Sequence, residues 1–223
     1  MSKDFFENLP SSNSPVFVVG SARSGTTLLY HILLSSKVFP VYHAESKILS
    51  CEKKYGNIAF SKNRDKFLKD FIQSLQFKRA GIETEQFKKN VNYKSKDYYE
   101  ILKLFMDSIA IAQGKNRWVE KTPAHIHYMD KIAQKFPNAL FIHIIRDGRD
   151  VALSCRKLTW SPVAVDSPVM NLLINAAAWE RNVLKGRKAG AALKNSRYIE
   201  LFYEELVRNP KEQIALIEDF VGV

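Results

Sequence analysis

The chain has 223 residues, 46% of them hydrophobic and 26% charged, which suits one globular domain with a sizeable core. No stretch approaches the roughly 20 apolar residues of a membrane span, and the opening M-S-K-D-F-F-E-N-L-P lacks the charged-then-apolar order of a signal peptide, so a cytoplasmic protein is expected. Cys51 and Cys155 form no CxxC pair and argue against a disulfide framework or a zinc site; the net charge of +11 favours an anionic partner without choosing among nucleotide, nucleic acid, acidic polysaccharide and membrane surface.

Residues 1–14 are polar and read as a flexible leader, and the domain proper is expected over 15–223. The apolar run Val16–Val19 reads as a buried strand entering Gly20. A small-residue turn leads to Gly25, and Gly25–Ser36 has helical spacing through Leu28, Leu29, Ile32 and Leu33. Val38–Ala44 is expected to be a second short strand that delivers Glu45. Residues 46–94 are Lys-rich with scattered Phe and Ile, and read as a helical insertion over the site or as an ordinary helical layer. Tyr99, Leu102, Phe105, Met106 and Ile109 mark an amphipathic helix within Lys96–Gln113.

Arg117–Val119 is expected to be a strand, with Glu120-Lys121-Thr122-Pro123 at its end and Pro123 opening a helix to about Phe136. Ala139–Ile145 is the clearest strand after the first, and it ends in Arg146-Asp147-Gly148-Arg149-Asp150 before a helix through Leu153. Asn171–Leu193 is helical, with Trp179 on its apolar face. Arg197–Tyr203 is a strand, Glu204–Val207 starts a short helix, and Pro210–Val221 is the last helix. Strands alternating with helices predict an α/β protein: a P-loop-type three-layer sandwich, with a central parallel sheet and helices on both faces. In that design the strands' carboxyl ends open onto one crevice, so the clusters Gly20–Thr27, Glu120–Thr122 and Arg146–Ser154 are expected to meet.

A strand, a glycine-bounded loop and a helix N-terminus hold phosphate, because loop N–H groups converge and the first helical turn carries partial positive charge. Gly20, four residues and Gly25 match P-loop spacing, and Thr27 matches its hydroxyl position. Thr26 stands where a triphosphate-binding loop carries lysine, while Arg23 brings a cation inside the loop. This suggests a ligand with a 5′-phosphate and a different group beyond it. Arg146 at a strand end and Ser154 two turns into the next helix have the spacing to reach one phosphate; the alternative is a surface arginine and a helical serine.

The motifs P-x-x-x-V-G-x-x-R-S-G-T-T-L-L, E-K-T-P, I-R-D-G-R-D-V-A-L-S, F-Y-E-E-L and N-P, in this order, resemble the sulfotransferases that use 3′-phosphoadenylyl sulfate (PAPS), most of all the branch with protein-tyrosine sulfotransferases and their bacterial relatives. The resemblance implies that Arg23, Ser24, Gly25, Thr26 and Thr27 hold the 5′-phosphosulfate, that Arg146 and Ser154 bind the 3′-phosphate, and that Tyr203 lies near the nucleotide. It implies that Lys121 reaches the bridging oxygen or the sulfuryl group, and that Arg23 and Lys121 neutralise the leaving phosphate without metal, releasing 3′,5′-ADP (PAP). It implies Glu45 as the base, one residue further from the loop than in that branch; His43 and His125 are the alternatives. The acceptor is expected to carry a hydroxyl, on a tyrosyl peptide, a glycan or a lipid-linked group. The resemblance also implies a donor-closing segment beyond Val223, which the sequence does not reach, so either a truncated chain or a more open donor site is expected. Two rivals remain at this point: a P-loop nucleotide kinase or NTPase, with Asp147 as magnesium ligand, and a non-catalytic basic module for nucleic acid or acidic glycan.

Overall fold

β1 (Val16–Gly20) is buried at every position, as its unbroken apolar run requires. It lies inside the sheet of a computed structural model that describes residues 14–156, 167–193 and 197–223. Ser14 apart, the leader expected over 1–14 falls outside the described residues. β2 (Val119–Lys121), β3 (Leu140–Ile145) and β4 (Tyr198–Phe202) complete one sheet among the described residues, in the order β2-β1-β3-β4. All neighbours are parallel, with Val18 beside Lys121, Gly20 beside Ile144 and Ile145 beside Phe202. The chain passes from β1 to β2 on one side and then to β3 on the other, so a crevice opens beyond the end of β1, the place where such sheets bind ligands.

The two faces of β1 serve separate cores. Phe17 and Val19 pack with Trp118, Phe136, Phe141 and the aromatic residues of α3 (Ser61–Gln73), α5 (Thr84–Lys94) and α6 (Tyr98–Ala112). Val16 and Val18 pack with Leu29 and Leu33 of α1 (Thr26–Ser35), Leu206 of α10 (Tyr203–Arg208) and Ile217 and Val221 of α11 (Pro210–Val221). Alternate side chains of one strand thus define the middle of an α/β/α sandwich. α6 starts at Asp97, whose carboxylate accepts from Tyr99 N and Glu100 N, and α11 starts on Pro210.

Residues 46–94 are mostly helical: a 3₁₀ turn Ile48–Cys51 runs into α2 (Glu52–Tyr55), followed by α3, α4 (Leu75–Lys78) and α5. Phe67, Phe71, Phe77 and Phe87 meet Phe105 or one another at 5.1–6.2 Å between ring centroids, so the scattered aromatics form a core and leave the lysines outside. After Pro123 the chain first makes a 3₁₀ turn, Pro123–Tyr128, and then α7 (Met129–Lys135). α8 (Gly148–Arg156) and α9 (Pro168–Ala191) follow β3. Among the described residues no helix is long and apolar enough to cross a membrane.

One expected element is absent. Val38–Ala44 is irregular, because side chains satisfy its backbone. The Gln113 amide accepts from Val41 N at 2.7 Å and donates to Val41 O at 2.9 Å. The Tyr30 hydroxyl does the same for Tyr42, with both distances 2.9 Å. With these groups already paired, no neighbouring strand is needed.

Candidate active site

Gly20, Lys121, Ile145 and Phe202 end their strands on one edge of the sheet, and the loop Ser21–Gly25 crosses that edge into α1. Gly25 has φ 93°, and a Cβ there would stand 2.4 Å from Tyr203 Cδ2, so only glycine lets the loop pass this ring. α1 has no side-chain cap and no acid in its first turn, which leaves its N-terminal N–H groups and their positive field open. Arg23 is left-handed at φ 70°, an uncommon state for a residue with a Cβ, and two contacts hold it there. Its Nε donates to Ser154 Oγ at 3.0 Å, and its carbonyl accepts from Arg146 Nη1 at 3.4 Å.

Arg146 links the rest of this cluster. Its guanidinium carbon lies 4.7 Å from the centroid of the Tyr203 ring, its Nη2 pairs with Asp150 at 3.1 Å, and its carbonyl accepts from Trp179 Nε1 at 2.9 Å. The Asn182 amide donates to Ser21 Oγ at 3.3 Å and ties α9 to the loop. Two donors in the cluster, Ser24 Oγ and Arg146 Nε, are buried without a partner among the described residues. Thr26 is buried and Thr27 exposed in the first turn of α1. Arg23, Gly25, Arg146, Ser154 and Tyr203, drawn from separate stretches of sequence, are thus in direct contact.

Glu45 and Lys121 form a second cluster on the same edge. Lys121 Nζ is 3.4 Å from Glu45 Oε1, and the side chains are 11% and 33% exposed, so the pair is sheltered yet open to a ligand. Among the described residues no hydrogen bond joins this pair to the first cluster. Beneath it lies Glu120, which is buried. Its Oε1 accepts from Ser46 Oγ at 2.8 Å, Ser46 N at 3.3 Å and Thr122 Oγ1 at 2.6 Å. His125 Nδ1 stands 2.8 Å from Oε2, outside hydrogen-bond alignment. Burial pushes the Glu120 carboxyl up, but the His125 ring and the Thr122 and Ser46 donors outweigh it and hold it at about 2. His125 is wholly buried, and His43 is exposed on the irregular segment.

Sequence reasoning missed Ser46 and Asn182 as partners of the site, and placed Thr122 and Asp150 only within the expected clusters Glu120–Thr122 and Arg146–Ser154, with no role for either. Thr122 lies inside E-K-T-P and Asp150 inside I-R-D-G-R-D-V-A-L-S; Ser46 and Asn182 carry no signal of their own. Trp179, expected on an apolar face, spends its indole N–H on the Arg146 carbonyl. A cleft of about 450 Å³ adjoins Ser46 and Lys47 and is lined by Lys54, Lys69, Asp70 and Gln76 among others.

The family model described as "Sulfotransferase family" matches residues 15–223. An uncharacterized protein of Aquifex aeolicus (strain VF5) is 26% identical over 216 residues, 94% of this chain, and the chain spans 25% of that protein's length. Among solved structures, the sulfotransferase domain from the curacin biosynthetic pathway has a TM-score of 0.59 and 19% identity, over 94% of this chain and 74% of that one. The sulfotransferase domain from the Synechococcus PCC 7002 olefin synthase gives 0.64 and 21%, over 95% and 74%. Sulfotransferase STF1 from Mycobacterium tuberculosis H37Rv gives 0.60 and 17%, over 96% and 68%. At these identities the structural likeness is one of fold, and it is the family match along nearly the whole chain that decides membership: the chain belongs to the sulfotransferase family.

Proposed function

We propose that the protein moves a sulfuryl group from PAPS to an acceptor hydroxyl and releases 3′,5′-ADP. The observation that carries this reading is the cluster of Arg23, Arg146, Ser154 and Tyr203 around the uncapped start of α1. Its donor set fits a ligand with two phosphates, and the buried, unpartnered Ser24 Oγ and Arg146 Nε leave donors for it. The loop N–H groups and Arg23 hold the 5′ side. Arg146 and Ser154 hold the 3′-phosphate, and Tyr203 lies along the nucleotide. The Arg23–Ser154 bond supports this reading, because it joins a residue assigned to the 5′ side to one assigned to the 3′-phosphate. PAPS supplies a sulfuryl group already joined to a phosphate leaving group.

In-line transfer of this kind depends on positioning and on charge stabilisation. Glu45 takes the proton of the acceptor hydroxyl, while Lys121 and Arg23 neutralise the charge left on the donor phosphate, with no metal assigned a role. The route assigned to the acceptor is the cleft among the helices of residues 46–94, because its lining residues Ser46 and Lys47 directly follow Glu45. The kinase alternative loses support because the family match runs over residues 15–223 and because Thr26 stands where a triphosphate-binding loop carries lysine.

The test combines calorimetry with transfer. Arg23→Ala and Arg146→Ala are expected to weaken 3′,5′-ADP binding about 10–100-fold, the worth of a charge-assisted contact. Unchanged affinity rejects the donor assignment. Incubation with PAPS and a panel of a tyrosyl peptide, a methyl glycoside and a lipid-linked sugar, read by mass spectrometry, finds the acceptor. Glu45→Gln is expected to keep nucleotide affinity and to lose about 10²–10⁴ in transfer rate; full activity moves the base elsewhere.

A further inference from the structure

Glu120 is 1% exposed and takes no part in the chemistry above. Its oxygens divide their work. Oε2 faces His125, itself wholly buried. Oε1 collects three donors, Ser46 N, Ser46 Oγ and Thr122 Oγ1, at 2.6–3.3 Å. Ser46 follows Glu45 in sequence, and Thr122 follows Lys121. The two segments differ in kind: Lys121 ends a strand, whereas Glu45 sits on a stretch with no regular structure. Lys47, next after Ser46, is left-handed at φ 54°, so the chain turns sharply there and needs a fixed point. The direct link between the segments, Glu45 to Lys121 at 3.4 Å, is too long to set their separation.

We infer that Glu120 is a positioning residue: through Oε1 it ties the irregular segment of Glu45 to the strand end of Lys121, and so sets the distance between base and cation. This rests on the reading of Glu45 and Lys121 given above. A carboxylate suits the task because one ionised oxygen receives several donors, and because a full charge makes those bonds about twice as strong as neutral ones. The other oxygen faces the His125 ring at 2.8 Å.

Two variants separate positioning from simple stability. Glu120→Leu fills similar space and accepts nothing, leaving Ser46 and Thr122 unpaired. Glu120→Gln keeps an oxygen for them and gives up the charge facing His125. Labelling of Lys121 Nζ by acetic anhydride, read by mass spectrometry on the nucleotide-free protein, reports the Glu45–Lys121 pair without any acceptor. Calorimetry with 3′,5′-ADP reports the donor site, and kcat and KM are taken with the panel acceptor that is turned over. Glu120→Leu is expected to keep 3′,5′-ADP affinity within about twofold, to label Lys121 several-fold faster, and to lower kcat by about tenfold or more at unchanged donor KM. Glu120→Gln is expected to recover most of the labelling protection and of kcat despite a lower melting temperature.

A Leu variant that labels like the wild type, or a Gln variant no better than Leu, overturns the inference. If the Leu variant does not fold, Ser46→Ala with Thr122→Val removes the side-chain donors while leaving the carboxylate, and must show the same faster labelling. Failure of the wild type to bind 3′,5′-ADP overturns the donor reading instead, and leaves the labelling result to judge Glu120.

Discussion

His143 sits in the middle of β3 with its ring fully buried. Its Nδ1 meets the Tyr198 hydroxyl at 2.8 Å, and that hydroxyl donates onward to Glu200 Oε1 at 2.9 Å, so Nδ1–H must be the donor to Tyr198. Nε2 is then bare and has no partner among the described residues. A second proton would place a charged, unpaired N–H in the core. Burial accordingly lowers the pKa from 6.5 to about 4; Glu200 pulls it up, and Arg187, which pairs with Glu200, pushes it down. The unfolded chain binds this proton more readily, so its contribution to stability is present above pH 6.5 and is lost as pH falls from 6.5 towards 4. The loss is about 3 kcal/mol. Urea midpoints at pH 7 and pH 4.5 check it, and His143→Gln is expected to flatten the difference. None of this was legible in A-L-F-I-H-I-I, where the histidine reads as one polar residue in a strand. Gly186 of α9 shows why: a Cβ there would stand 2.5 Å from His143 Cε1, and only the packed helix reveals that the ring is sealed. Gly25, by contrast, was legible, because its turn is local.

The irregular stretch Val38–Ala44 shows where reading elements from sequence stops. Its apolar residues satisfy a strand pattern, yet its backbone partners are the side chains of Gln113 and Tyr30, from the end of α6 and from α1. A hydrogen bond from a distant side chain leaves no periodic trace. Gln113→Ala is expected to free both polar groups of Val41 at a cost of about 1 kcal/mol, since the site is exposed. It should raise amide exchange at Val41 and Tyr42 first, as hydrogen–deuterium exchange can measure; unchanged protection would show that Tyr30 alone holds the segment. Elements whose partners are regular fared better. The strand before Gly20, the strand ending at Ile145 and the helix Pro210–Val221 lie where their apolar spacing puts them. The β2 strand lies two residues later than expected, so Glu120 and Lys121 are part of it and not of the loop beyond.

Across the whole molecule, both cores meet at β1. Phe17 lies 5.4–6.2 Å from the ring centroids of Trp118, Phe141, Phe136 and His125, with no exposure. Phe17→Ala removes the ring shared by the sheet and one helical layer. It is expected to destabilise the protein by about 3–5 kcal/mol in urea titration, and to loosen His125 behind Glu120. A cost below about 1 kcal/mol would mean that the layer collapses to fill the space. The amino-acid sequence by itself determined the α/β alternation, the glycine-bounded loop with its arginine, and the motifs that place the chain in its family, because each is written in contiguous residues through local sterics and hydrophobic period. Only the tertiary structure decided that Arg23 bonds Ser154, that Glu45 pairs with Lys121, and that Glu120 holds Ser46 and Thr122 together. Those partners lie from 74 to 131 residues apart, save Thr122 beside Glu120, and parallel strands with helical crossovers bring them to one edge. Contacts across such distances follow from strand order and from the turn of each side chain, which no local pattern specifies.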